Sequence, residues 1–169
     1  VPIKTENNAA YYDFGRINTE ILYDNLMNKF VWGNIKDPKV NIDHFHDNTI
    51  AVMKYRNTFL RLAEQLMQEA ATETRVMGDT IINEITDSTK IQEAIRVLDK
   101  SLEEIPLYQV PADFFLLNYI SIYYAAGEQE KGNDLAWALA LDNAQTLRYI
   151  GSLSPNRRKA LENDERRSM

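Results

Sequence analysis

The sequence predicts an all-α protein built from antiparallel helix pairs of the tetratricopeptide type, an α–α superhelix. Three observations carry that expectation. Apolar residues recur at helical spacing over most of the chain, no stretch reads as strand-like alternation, and one segment follows a helical repeat position by position. At 169 residues, 44% of them hydrophobic and 26% charged, the chain has material for one substantial core and not for a second.

Residues 1 to 16 (VPIKTENNAAYYDFGR) keep no period and read as an extended or irregular lead-in, with Gly15 as punctuation. A first helix is expected at roughly 19 to 31. Asn18 or Thr19 can cap it, Glu20 suits its first turn, and Leu22, Leu26 and Phe30 share a face ahead of Gly33. Between Trp32 and Asp47 the turn formers Asn34, Asp37, Pro38, Asn41 and Asp43 interrupt any helix and predict a loop. Val52, Tyr55, Phe59, Leu62 and Leu66 then line one stripe of a helix from about 48 to 69.

Thr89 and Gln92 form a capping-box pattern, after which Ile91, Ile95, Leu98, Leu102 and Ile105 mark an amphipathic helix that Pro106 stops. Pro111 fits the first turn of the next helix, in which Leu116, Tyr119, Tyr123 and Ala126 share a face up to a cap at Gly127. A further helix should run from about Asn133 to Ile150. The tail from Ser154 carries mixed charges and little apolar material, which predicts a frayed helix or disorder. Phe114, Phe115, Tyr119, Tyr123 and Tyr124 are expected in the core, and packing is the default role for Trp32 and Trp137. The chain thus divides into a lead-in with one helix and a loop (1–47), a helical repeat domain (48–150) and a charged tail (151–169).

The repeat expectation rests on Ala94, Leu98, Ser101 and Pro106, which fall at offsets 0, 4, 7 and 12. A tetratricopeptide second helix places small, large, small and proline residues in that order. Ala63 and Leu66 offer the small and bulky positions of the first helix. Ala63 and Ala94 are 31 residues apart, where the motif has about 12, so an insertion lies near 70–88 as a loop or an extra helical turn. Tyr123, Gly127 and Gly132 outline a second, more degenerate unit, with Ile120 where a small residue is usual. An ordinary helical bundle can meet the same offsets, because Ala, Leu and Ser are common in any amphipathic helix.

A net charge of −6 gives no pull toward phosphate backbones or anionic lipid, so nucleic acid is not an expected partner. The absence of cysteine removes disulfides, thiolate metal sites and cysteine nucleophiles together. Val1 in place of methionine, with no signal or transit segment, reads as a processed chain or a piece of a longer one. The longest apolar stretch, Phe114 to Ala126, is broken by Asn118 and Ser121 and falls short of the ~18 to 20 residues of a membrane span.

The block YDNLMNKFVWGNIKDP (Tyr23 to Pro38), the helix YRNTFLRLAEQLMQE (Tyr55 to Glu69) and AIRVLDKSLEEIP (Ala94 to Pro106) together resemble one family. It comprises large bacterial multi-spanning membrane proteins of unknown function, similar to protein O-mannosyltransferases, and the likeness is to their C-terminal soluble region. The resemblance covers most of residues 1 to 150 and is specific in the first block. It implies that glycosyl-transfer chemistry belongs to a membrane portion outside this chain. The fragment would then be a non-catalytic interaction or scaffolding module at the periplasmic face of the inner membrane. Its partner would be a protein, a peptide or the membrane portion of its own chain, with no catalytic residue and no cofactor of its own.

If the repeat alignment holds, the inner groove is lined by Arg61, Glu64, Gln68, Asn118, Ser121 and Tyr124, a mixed polar surface suited to a peptide. The alternative is a metal-dependent hydrolase using the only histidines, His44 and His46, which an extended segment would project to one side. A metal site needs a third ligand and a supporting shell, and Asp47 serves equally as a helix cap. No strand-elbow-helix nucleophile motif and no glycine-rich phosphate loop is present. Glu103 and Glu104 are adjacent and diverge by about 100° on a helix, a geometry for a solvated face and not for paired acid–base work. Asp79-Thr80-Ile81 and Asp87-Ser88-Thr89 resemble a bacterial O-glycosylation acceptor, a pattern that turns and helix caps also produce.

Overall fold

A computed structural model describes residues 17–43, 46–77, 80–85 and 87–159. The protein is mostly helical, with one two-stranded sheet among the described residues. Helix α1 (Thr19–Asp24) is capped by Asn18, whose Oδ1 accepts from the Ile21 amide at 3.0 Å, and it widens into a π-wound turn, Asn25–Lys29. Phe30 therefore lies past the helix end and is half exposed, while Leu26 is the buried residue of the expected stripe. Gly33 (φ 63°) and Asn34 (φ 59°) both take the left-handed conformation that turns the chain into the following loop.

A π-wound segment, His46–Arg56, leads straight into α2 (Asn57–Ala70), whose buried face is Phe59, Leu60, Leu62, Ala63, Leu66 and Ala70. The stretch expected to be a loop or a helical turn is instead an antiparallel hairpin, β1 (Ala71–Met77) with β2 (Thr80–Ile85). Threonine, valine and isoleucine make up three of the seven residues of β1 and four of the six of β2, and β-branched side chains favour extended backbone over helix. The register runs from Ala71 opposite Ile85 to Met77 opposite Thr80, with an irregularity between Ala71 and Glu73. The Asp87 amide donates to the Ala70 carbonyl at 3.3 Å, so the insertion returns to the point where it left α2.

Helix α3 (Ser88–Glu104) is capped by Asp87, which accepts from the amides of Thr89 and Lys90. The cap is thus two residues ahead of the expected Thr89, because a carboxylate there reaches two free amides at once. Helix α4 (Phe115–Ala125) begins four residues after Pro111, with Asp113 Oδ1 accepting from the Phe115 amide at 2.8 Å. Gly127 (φ 83°) ends it as expected. Helix α5 (Gln129–Ser152) is longer than anticipated at both ends.

Chain direction follows from the contacts. Glu69 at the end of α2 meets Lys90 at the start of α3, and Arg56 just ahead of α2 reaches the Ile105 carbonyl past the end of α3, so the two helices run antiparallel. Tyr124 near the end of α4 bonds Asn133 in the first turns of α5, which folds back along it. Arg56 pairs with Asp113 ahead of α4, and Glu64 with Asn118 one turn in, so α2 and α4 run in the same sense.

Leu62, Ala63, Leu66, Ala94, Leu98 and Ser101 are fully buried, and each large apolar side chain among them contributes about 1.5–3 kcal/mol on leaving water. Trp32 joins the same core, its ring centroid 4.9 Å from Phe59 and 5.3 Å from Tyr55, so the first helix and loop pack against α2. Gln109 fastens that loop by donating from Nε2 to the carbonyls of Ile35, Asp37 and Val40. Phe115, Tyr119 and Tyr123 are buried as expected, but Phe114 and Tyr124 on the opposite side of α4 are exposed. Trp137 on α5 is also exposed, at 74%, against the packing role expected of it.

Candidate functional site

The surface nominated from sequence lies along α2 and α4. Arg61, Glu64 and Gln68 follow one another by turns on α2, a spacing that places them on one stripe. Asn118 and Ser121 do the same on α4. The two stripes meet where Asn118 Nδ2 donates to Glu64 Oε1 at 3.5 Å. Burial pushes the Glu64 carboxyl above its ordinary range, against the opposing pull of the Arg61 guanidinium and the Asn118 bond. Ser121 returns its hydroxyl to the Leu117 carbonyl at 3.0 Å, and Gln68 stands exposed.

Tyr124 is drawn to α5. Its hydroxyl donates to Asn133 Oδ1 at 2.7 Å, and its ring lies so close to Gly132 that a Cβ there would stand 2.8 Å from it. Of the six nominated residues, Arg61, Glu64 and Asn118 are brought together, Ser121 lies one turn on, and Gln68 and Tyr124 mark the periphery. Sequence reasoning omitted Phe114 and Leu117, which are 60% and 56% exposed on the same side of α4 and give the polar stripe an apolar margin.

A cleft of about 410 Å³ opens between α3, α4 and α5, over Leu102 and Leu135. At its wall Asp99 accepts from Tyr123 at 2.9 Å and from Lys131 Nζ at 2.7 Å, and the same ammonium lies 5.9 Å from the Tyr123 ring centroid. Burial, followed by the Asp99 charge, raises the Tyr123 pKa above the ordinary tyrosine value, so that phenol stays protonated and serves as a donor.

A third constellation is structural. Arg56 is fully buried and bonds the carbonyls of Pro111 (2.8 Å), Ile105 (3.1 Å) and Val110 (2.8 Å), besides pairing with the Asp113 carboxylate. The sequence held a signal for it. Arg56 sits four residues after Val52 and three before Phe59, a charge set into an apolar stripe.

His44 lies outside the described residues, and His46 begins the π-wound segment. Among the described residues no three histidine, aspartate or glutamate side chains stand close enough to share a metal ion. Asp87 of the second acceptor-like tripeptide is the α3 cap, while Asp79 of the first lies outside the described residues. No described helix is long and apolar enough to cross a membrane. Comparison with protein-family models, with curated proteins and with solved structures finds no match to this chain.

Proposed function

We propose that this chain is a tetratricopeptide-like interaction module, and that the stripe shared by α2 and α4 is its peptide-binding face. The junction of Glu64 with Asn118 carries the reading, because it aligns two parallel helices of successive antiparallel pairs side by side. Three further features support the repeat. Ala94 and Ser101, at the small-residue positions, are buried between helices. Gly132, at the small position of the second unit, lies against Tyr124 where a larger residue would clash. The Ala70 to Asp87 bond closes off the hairpin, so α2 and α3 stand as they would with a short link.

The stripe itself suits a peptide. It offers a guanidinium at Arg61, a carboxylate at Glu64, the amide of Asn118 and the apolar margin of Phe114 and Leu117. An extended chain could meet these through its backbone and side chains together. Glu64 is held partly out of water at a cost to its ionised form, an arrangement more useful for binding than for folding.

In line with the resemblance of the segments from Tyr23 to Pro38, Tyr55 to Glu69 and Ala94 to Pro106, the module would serve a membrane glycosyltransferase-like protein at the periplasmic face. There it would act as a scaffold, with the transfer chemistry elsewhere. The test is a peptide-display selection on the immobilised chain, with affinities of the recovered peptides measured by fluorescence anisotropy. Arg61→Ala and Tyr124→Ala should each weaken binding by about tenfold, equivalent to ~1.4 kcal/mol, at unchanged helicity. Peptides that bind all three proteins equally would refute the assignment of this face.

A further inference from the structure

Helix α5 turns an apolar stripe away from its own core. Its inner side is carried by Leu135, 5% exposed, with Leu139 packed beside it. On the far side of the helix Trp137, Ala140, Leu141, Ala144 and Leu147 are spaced by three, one, three and three residues, which at about 100° per residue places them within about a third of the circumference. Trp137, Leu141 and Leu147 are 74%, 48% and 68% exposed. Helix propensity alone does not account for a stripe of that kind on 24 residues, since exposed positions favour polar helix formers.

The charges along the helix say what fits the stripe. On the N-terminal side of Leu141, Glu128, Glu130 and Asp134 are accompanied by a single base, Lys131, and Asp142 directly follows Leu141. From Asn143 to the end of the helix at Ser152 there is no acid and one base, Arg148, and Arg157, Arg158 and Lys159 follow beyond the helix. Neither Asp134 nor Arg148 has an ion-pair partner among the described residues. Such a gradient suits the helix dipole. It also makes the surface complementary to a reversed copy of itself, which is the condition for a closed twofold interface.

We infer that α5 pairs antiparallel with α5 of a second copy, with the two Leu141 side chains facing each other across the twofold axis. In that register Asp134 of each copy meets Arg148 of the other, since both lie seven residues from Leu141. Trp137 lands beside Ala144 of the second copy, where small residues leave room for the indole. A parallel pairing would set acid against acid and base against base. This surface is separate from the α2 and α4 stripe, so it stands or falls independently of the peptide-binding reading.

The full chain should show reversible dimerisation by sedimentation velocity, with a dissociation constant of about 1–100 μM, as for a weak transient interface. Arg148→Asp should weaken it by about tenfold, and adding Asp134→Arg should restore it, with the far-UV circular dichroism unchanged throughout. The absence of native cysteine allows a positional probe. Leu141→Cys should form an intermolecular disulfide readily. Trp137→Cys should not, because antiparallel packing separates the two Trp137 positions by about 12 Å along the axis, beyond disulfide reach. A monomer at every concentration would overturn the inference. So would failure of the double reversal to restore dimerisation, or cross-linking through position 137 in preference to 141.

Discussion

The hydroxyl of Ser101 on α3 lies 2.8 Å from the hydroxyl of Tyr119 on α4, inside a region from which water is excluded. Tyr119 spends its single proton on the Arg56 carbonyl at 3.0 Å, so Ser101 must be the donor between the two hydroxyls. One phenol thereby ties α3, α4 and the segment entering α2. Tyr119→Phe leaves both Ser101 Oγ and the Arg56 carbonyl short of a partner and should destabilise the fold by about 1–3 kcal/mol. Ser101→Ala removes one bond and keeps the other, so its loss should be nearer ~1 kcal/mol. Urea denaturation followed by circular dichroism distinguishes the two.

Arg56 is the largest fully buried side chain among the described residues. Its guanidinium satisfies three carbonyls of the segment between α3 and α4 and neutralises Asp113, which in turn caps α4. Arg56→Ala strands that carboxylate and those carbonyls, and should lower stability by about 3–5 kcal/mol. Arg56→Lys should rescue little of this, because an ammonium cannot reach acceptors spread over a planar fork. Thermal unfolding of the two variants should therefore give midpoints closer to each other than to that of the parent chain.

Two carboxylates should shape the acid side of the stability profile in opposite senses. Burial pushes Glu104 up, but the bonds from Lys100 at 2.7 Å and Lys36 at 2.9 Å outweigh it and hold the group below its ordinary value of 4.5. Its contribution is therefore present above pH 4.5 and is lost as the pH falls through its lower folded value. For Glu64, whose folded pKa is raised, the contribution is present below 4.5 and is lost as the pH rises through the folded value. Glu104→Gln should accordingly flatten the acid limb of a stability curve measured between pH 3 and 7, and Glu64→Gln should raise stability at neutral pH. A loss of stability at pH 7 in Glu64→Gln would contradict the balance described for that group.

The helices were legible because each carries its own signal. Leu98 and Leu102 repeat at the helical period, Pro106 ends one helix, and Gly127 supplies the left-handed residue that ends another. The hairpin was missed although its cues are local. Thr72, Thr74 and Val76 alternate with other residues, Gly78-Asp79 is a turn pair, and Ile81 and Ile82 follow. The strong helical periods on both sides mask cues this short. Residue type alone points Phe114, Tyr124 and Trp137 toward the core. Whether an aromatic is inside depends on which side of its helix a neighbour covers, and that is decided by tertiary packing. Arg61, Glu64 and Gln68 lie on one helix, α2, where their spacing sets them along one stripe. The engagement of Tyr124 with Asn133 depended on where α5 begins, four residues earlier than the spacing indicated.

The bond between the Ala70 carbonyl and the Asp87 amide makes the hairpin a detour that starts and finishes at one address. Closing a flexible loop grows more costly only with the logarithm of its length, so whatever occupies that detour can lengthen, shrink or be exchanged at small expense to the helices on either side. The protein thus carries a built-in port, at which evolution or an experimenter can graft a new recognition element without redrawing the scaffold.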